Sequence, residues 1–272
     1  MRTSDWERRF VSRVSVPLVL FLSLVSLTGI YKENFYNLES DNWRVQCIGQ
    51  DVIDLVLIVP FLTICALLTF LNRRTGLALW CGTVLYLVYT FMIYSFSVHF
   101  NSLFIFYCLI LGISFYSFLI IIYKQAREHI QWKLDSTTLR RVISIYFILI
   151  AVIFYVLWLK DIVTAFFTDS LPTSLQETNL ITNPVEALDI SIFLPGIVII
   201  GLLLLRENPL GVMLTPIMLT FMILMDITIG VLTFMLNGDS QVHRFVPFAL
   251  FSMGVLGFFL LVGFFKKLTI SS

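Results

Sequence analysis

Three aspartates fall within long apolar stretches of this chain: Asp54, Asp189 and Asp226. Hydrocarbon penalises an ionised side chain, so acids at such positions serve proton relays, ion paths or buried pairs. Two of them recur in one pattern. Asp54-Leu-Val-Leu-Ile-Val-Pro60 leads through an apolar run to Arg73 and Gly76, and Asp189-Ile-Ser-Ile-Phe-Leu-Pro195 leads likewise to Arg206 and Gly211. The two patterns lie 135 residues apart (54 to 189, 60 to 195). Proline removes a backbone donor, so Pro60 and Pro195 predict kinks that free the carbonyls of Val56 and Ser191. In lipid a freed carbonyl needs a partner, which predicts that both helices face the bundle or a wet cavity there.

The bland reading of Asp54 and Asp189 places each about one turn inside the outer end of its helix, favoured by the helix dipole. Asn183-Pro184 supports such a start as cap and first helical residue. The functional reading has the two acids lining an outward-facing pocket that binds a cation, a proton or a polar solute. Asp226 lies more than two turns from either end of its span, where an isolated charge costs about 2.5–3.5 kcal/mol on the gentlest scale. It is read either as paired to a tyrosine or serine of a neighbouring helix, or as a coupling or catalytic acid.

Tyr86, Tyr89 and Tyr94 share one helical face with Thr90 and Ser97. Tyr94 fits an interfacial aromatic belt, whereas Tyr86 and Tyr89 lie deeper and need buried partners. Asp51, His99, Asn101, Asp239, His243 and Arg244 are expected on the outer side. Their spacing carries no metal motif, and no metal or other cofactor is implied. Lys160-Asp161 reads as a local ion pair or a snorkelling anchor.

The elements that must position these residues follow from composition. The chain has 272 residues, 58% hydrophobic and 13% charged, with mean hydropathy +0.93. Soluble domains carry about 25% charged residues. Eight runs are long enough to cross a bilayer, near 14–31, 51–72, 77–98, 102–123, 142–160, 184–205, 211–236 and 246–265. The expected fold is therefore an all-α integral membrane protein. Between the spans the charge is patterned: with the N-terminus in the cytoplasm, all Lys and Arg except Lys32, Arg44, Lys160 and Arg244 fall inside. This predicts cytoplasmic N- and C-termini. The first run reads as an uncleaved helix, because Asp5 and Glu7 sit among its basic residues and no clean cleavage site follows.

The Asp–Pro correspondence divides the chain into two parallel four-helix halves, 1–123 and 142–272, joined by a basic cytoplasmic loop, 124–141. Cys65, Cys81 and Cys108 are expected as buried packing residues and Cys47 in an outer loop, which leaves no disulfide framework. The connections are too short for a folded ATPase, kinase or nucleic-acid-binding module, and no nucleic-acid partner is expected. The expected partners are the lipid bilayer of the plasma membrane, a small solute or ion, and a partner membrane subunit or a second copy of the chain.

Gly49-Gln-Asp-Val-Ile-Asp-Leu-Val-Leu-Ile-Val-Pro60 and Leu85-Tyr-Leu-Val-Tyr-Thr-Phe-Met-Ile-Tyr-Ser-Phe96, running on to Phe100-Asn-Ser-Leu-Phe104, resemble a group of prokaryotic multi-pass membrane proteins with no assigned activity. The similarity is strongest over 49–123 and weaker over 183–236. It implies a polytopic protein, says nothing about substrate, and draws attention to Gln50, Asp51, Asp54, Tyr86, Tyr89, Tyr94 and Asn101. Three functions stay open: a transporter-like or solute-binding protein, a membrane-embedded enzyme acting on a lipid-linked substrate, and a non-catalytic subunit, immunity or assembly factor.

Overall fold

A computed structural model describes residues 3–127, 131–236 and 241–271. Among them, eight helices are long and apolar enough to cross a membrane, which makes this a polytopic membrane protein of all-α type. They are α1 (Asp5–Tyr31), α2 (Asp41–Phe70), α3 (Arg74–Ser97), α4 (Phe104–Arg127), α5 (Thr137–Thr168), α7 (Pro184–Leu205), α8 (Pro209–Met235) and α9 (Gln241–Lys267), with a short α6 (Thr173–Thr178) before α7. Helices α3 and α8 form the centre. They pack on each other, α3 also on α2 and α4, and α8 also on α7 and α9. The reason is compositional. α3 is the least apolar of the eight spans, and 78% of its membrane window is buried, against 28% for α4. Its threonines and tyrosines would go unpaired in lipid and are satisfied inside protein.

Several elements differ from the sequence expectation. Helix α2 starts at Asp41, not near 51, because Ser40 caps it by accepting from the Trp43 N–H (3.2 Å). Asp54 therefore lies more than three turns into its helix, so Asp226 is not alone in the interior of a span. The first-turn account fails for Asp54 and holds only for Asp189, five residues beyond Pro184. Cys47 is buried in α2 rather than placed in a loop, and Cys108 faces outward.

The basic connection between the expected halves contains a strand, β1 (Gln131–Leu134). It pairs antiparallel with β2 (Leu268–Ser271), with Lys133 opposite Thr269 and Leu134 opposite Leu268. Trp132 and Leu134 are buried while Lys133 is exposed, the alternation a half-buried strand requires.

Each proline is preceded by a wide π turn, over Asp54–Ile58 and Asp189–Phe193. The Val59 N–H reaches back five residues to the Asp54 carbonyl, and the Leu194 N–H to that of Asp189. Such a turn gives the proline ring room beside the preceding carbonyls. Val56 and Ser191 are nonetheless exposed on the outside of the bundle, which corrects the expectation that both helices face inward there. The Ser191 hydroxyl donates to the Ala187 carbonyl.

Candidate functional site

The candidate site grows from one face of α2, where Gln50, Asp51 and Asp54 lie within a turn of one another. Both acids are fully buried, at 0% exposure. Asp51 Oδ2 accepts from Tyr36 Oη (2.7 Å) and Oδ1 from Tyr94 Oη (3.2 Å). Tyr94 Oη also lies 3.0 Å from the Cys47 carbonyl. Tyr94 is thus a buried partner of an acid and not a belt residue. Tyr36 reaches Asp51 from the α1–α2 connection, over Gly29. A side chain there has no room, since an added Cβ would fall 1.8 Å from Asp51 Oδ2. Burial, with the Asp51 carboxylate adding to it, pushes the Tyr36 phenol well above its ordinary pKa and keeps it a donor.

One turn on, Gln50 Nε2 donates to Asp54 Oδ1 (2.9 Å) and to Tyr86 Oη (2.7 Å). Tyr86 Oη lies 2.9 Å from Thr228 Oγ1 and 3.4 Å from Asp54 Oδ1. Since Thr228 donates its own proton to the Leu224 carbonyl (2.8 Å), the single Tyr86 proton is shared between Thr228 Oγ1 and Asp54 Oδ1. Asp54 Oδ2 is buried and has no hydrogen-bond partner among the described residues. The result is a polar thread from α2 through α3 to Thr228 of α8, which begins at an acid with one oxygen unmet among the described residues.

Tyr89, one turn beyond Tyr86, serves Asp189 instead. Its hydroxyl donates to Asp189 Oδ1 (3.1 Å), and Trp158 Nε1 donates to Oδ2 (3.0 Å). Tyr155 Oη adds a bond to the Ile190 carbonyl (3.1 Å). Asp189 is half-buried and both its oxygens are satisfied. Helix α3 thus holds Asp54 through Tyr86 and Asp189 through Tyr89, at separate places.

Asp226 stands apart from both. It is 5% exposed and its Oδ2 is buried without a partner among the described residues. Thr228 faces α3, whereas Asp226 faces α9, where a Cβ on Gly254 would lie 3.4 Å from Asp226 Cβ. The expected tyrosine or serine partner is not found among the described residues. Tyr146, the nearby candidate, donates to the Met253 carbonyl (3.2 Å).

His99 and Asn101 belong to loop architecture. The His99 N–H donates to Glu39 Oε1 (2.8 Å) and its Nδ1 lies 3.0 Å from Glu39 Oε2. Asn101 donates to the His99 carbonyl (3.1 Å) and to Tyr107 Oη (3.2 Å), and its Oδ1 accepts from the Leu103 N–H (2.9 Å). Asp161 does not pair with Lys160; it caps α6, accepting from the N–H groups of Thr173 and Ser174. Asp239 and the side chains of His243 and Arg244 lie outside the described residues.

Tyr36, Trp158 and Thr228 are partners that sequence reasoning missed. Nothing in the spacing of Tyr36 or Trp158 ties either to an acid, and Thr228 signals itself only as a polar residue two positions from Asp226. Two recesses near the Arg73–Arg74 turn are lined by none of Asp54, Asp189 and Asp226. No protein family, curated protein or solved structure matches the chain, so no activity is carried to this site by likeness.

Proposed function

We propose that the protein is transporter-like and handles a proton or a small cation at Asp54. The observation that supports this is the Asp54 carboxylate itself. Gln50 and Tyr86 are directed at Oδ1, while Oδ2 is buried and unmet. An isolated charge is expensive at that depth, and a proton or a cation is the species that completes such a group. The Gln50–Tyr86–Thr228 thread supplies a path of hydroxyl and amide groups beside it. Asp226, also unmet on one oxygen, is a second station in this reading, and entry is from the outer side.

The same reading has two parallel four-helix halves, 1–123 and 142–272, derived by duplication, with both termini in the cytoplasm and the plasma membrane as location. The paired π turns at an offset of 135 residues support the duplication. A second reading, a subunit or assembly factor whose acids serve folding, is favoured at Asp51 and Asp189, where every carboxylate oxygen is satisfied.

Purified protein in liposomes with an imposed pH or cation gradient separates the two. Movement of the ion, reduced at least tenfold by Asp54→Asn in a protein of native thermal stability, supports transport. If no gradient decays, or if Asp54→Asn conducts like the native chain, the folding role stands instead.

A further inference from the structure

At the end of the bundle that holds the Asn72–Arg73 turn, a recess of about 230 Å³ is lined by Arg73, Arg74, Thr75, Trp132, Phe265 and Leu268. It continues into a narrower apolar cleft that shares Arg74, Ala78 and Trp132 and is walled by Leu77, Ile121, Met213 and Ile217. The mouth is basic and the depth is apolar.

Three features make the mouth an unfinished site. Helix α3 starts here with no side-chain cap: Arg73 holds the cap position and leaves the first N–H groups without a side-chain acceptor. The corresponding start of α8 is capped by Asn208, whose Oδ1 accepts from the Leu210 N–H (2.9 Å). Second, two arginines stand at the positive end of the helix dipole, where acidic groups are favoured and basic ones are not. Third, Trp132, in the wall shared by both compartments, is 8% exposed, and its indole N–H is buried without a partner among the described residues. A buried N–H of this kind loses the hydrogen bond it had in water. Helix N-termini with exposed N–H groups and adjacent arginines bind phosphate, and basic recesses between membrane helices take anionic headgroups.

We propose that this recess binds a phosphate ester carrying an apolar substituent, the phosphate at Arg73, Arg74 and the start of α3, an ester oxygen at the Trp132 N–H, and the apolar part in the cleft. Arg74 already donates to Gln125 Oε1 (3.2 Å), which orients its guanidinium at the mouth. The β1–β2 ribbon carries Trp132 into the wall, so the ribbon joining the central connection to the C-terminal segment has a role in closing the site.

The test is ligand-induced thermal stabilisation of the full chain in a neutral detergent. The probes are short-chain phosphatidic acid, phosphatidylcholine of equal chain length and inorganic phosphate. Phosphatidic acid should raise the melting temperature saturably. Arg73→Gln, at an exposed position, should weaken that binding at least tenfold, and Trp132→Phe, which keeps an aromatic ring and removes the N–H, about threefold. Inorganic phosphate acting alone with the same dependence on Arg73 would identify a free anion as the source and keep the site. No saturable shift with either anion, equal stabilisation by phosphatidylcholine, or unchanged binding in Arg73→Gln would overturn the proposal.

Discussion

Over residues 54–76 and 189–211 the backbone follows the same course: a π turn, a proline, twelve residues of α-helix, a left-handed residue (Asn72, φ 64°; Glu207, φ 57°) and a glycine pressed on the turn before it. The acids that begin these segments are housed differently. Asp54 is deep in α2, fully buried, with one oxygen unmet, whereas Asp189 is five residues from the start of α7, half-buried and satisfied on both oxygens. The difference teaches that the π–proline turn is a backbone device independent of what the acid does. The turn makes room for the ring. What the carboxylate meets is set by α3, which offers Tyr86 to one acid and Tyr89 to the other.

If the shared backbone is the invariant part, its glycines are where both segments break alike. A Cβ on Gly76 would lie 2.6 Å from the Thr69 backbone nitrogen, and one on Gly211 would lie 2.6 Å from that of Leu204. Main chain cannot step aside as a side-chain tip can. Gly76→Ala and Gly211→Ala should each cost about 1–3 kcal/mol, as overpacking does, and by similar amounts. Thermal melts in detergent check this, and tolerance at one glycine alone would end the equivalence.

The acids should then part company. Asp189→Asn keeps an oxygen for Trp158 and turns its N–H₂ to Tyr89, whose hydroxyl then loses the acceptor for its own proton, and should cost about 1–3 kcal/mol, the penalty of a buried group left unpaired. Asp54→Asn keeps an oxygen for Gln50 and Tyr86 and places the new N–H₂ where Oδ2 had no partner, so its cost in stability should be smaller. Equal melting temperatures for the two variants would show that the hydrogen bonds to Asp189 are worth no more than those to Asp54, and the contrast would fail.

The eight spans were legible because hydrocarbon demands long apolar runs, and the 184–205 boundary was met residue for residue because Asn183-Pro184 announces it. The start of α2 was not legible. Asp41 to Gln50 is polar enough to read as a loop; the Ser40 cap and the burial of Trp43, Cys47 and Gln50 against the bundle make it helix. The π turns were hidden for another reason: proline announces a disturbance but not whether the chain bends or widens. Tyr86 and Tyr89 declared their need for partners by depth and spacing. Which acid each would meet depends on how α2 and α7 flank α3, and that is tertiary. The β1–β2 ribbon pairs segments 136 residues apart (133 to 269) whose alternation is too short to stand out alone.

The smallest effect concerns the two helix starts that follow the shared turn. Asn208 caps α8, and Asn208→Ala should cost about 1 kcal/mol, the usual value of such a cap. Arg73 occupies the same place before α3 and caps nothing. Removing a positive charge from a helix N-terminus relieves about 0.3–1 kcal/mol at low ionic strength, so Arg73→Ala should leave the melting temperature unchanged or slightly raised. Added short-chain phosphatidic acid should reverse that order, because the native arginine then faces an anion and the alanine does not. Melts of the two variants with and without the lipid make the comparison. A loss of stability in Arg73→Ala without lipid would mean that the arginine already has an acceptor, and that the two starts are more alike than their caps suggest.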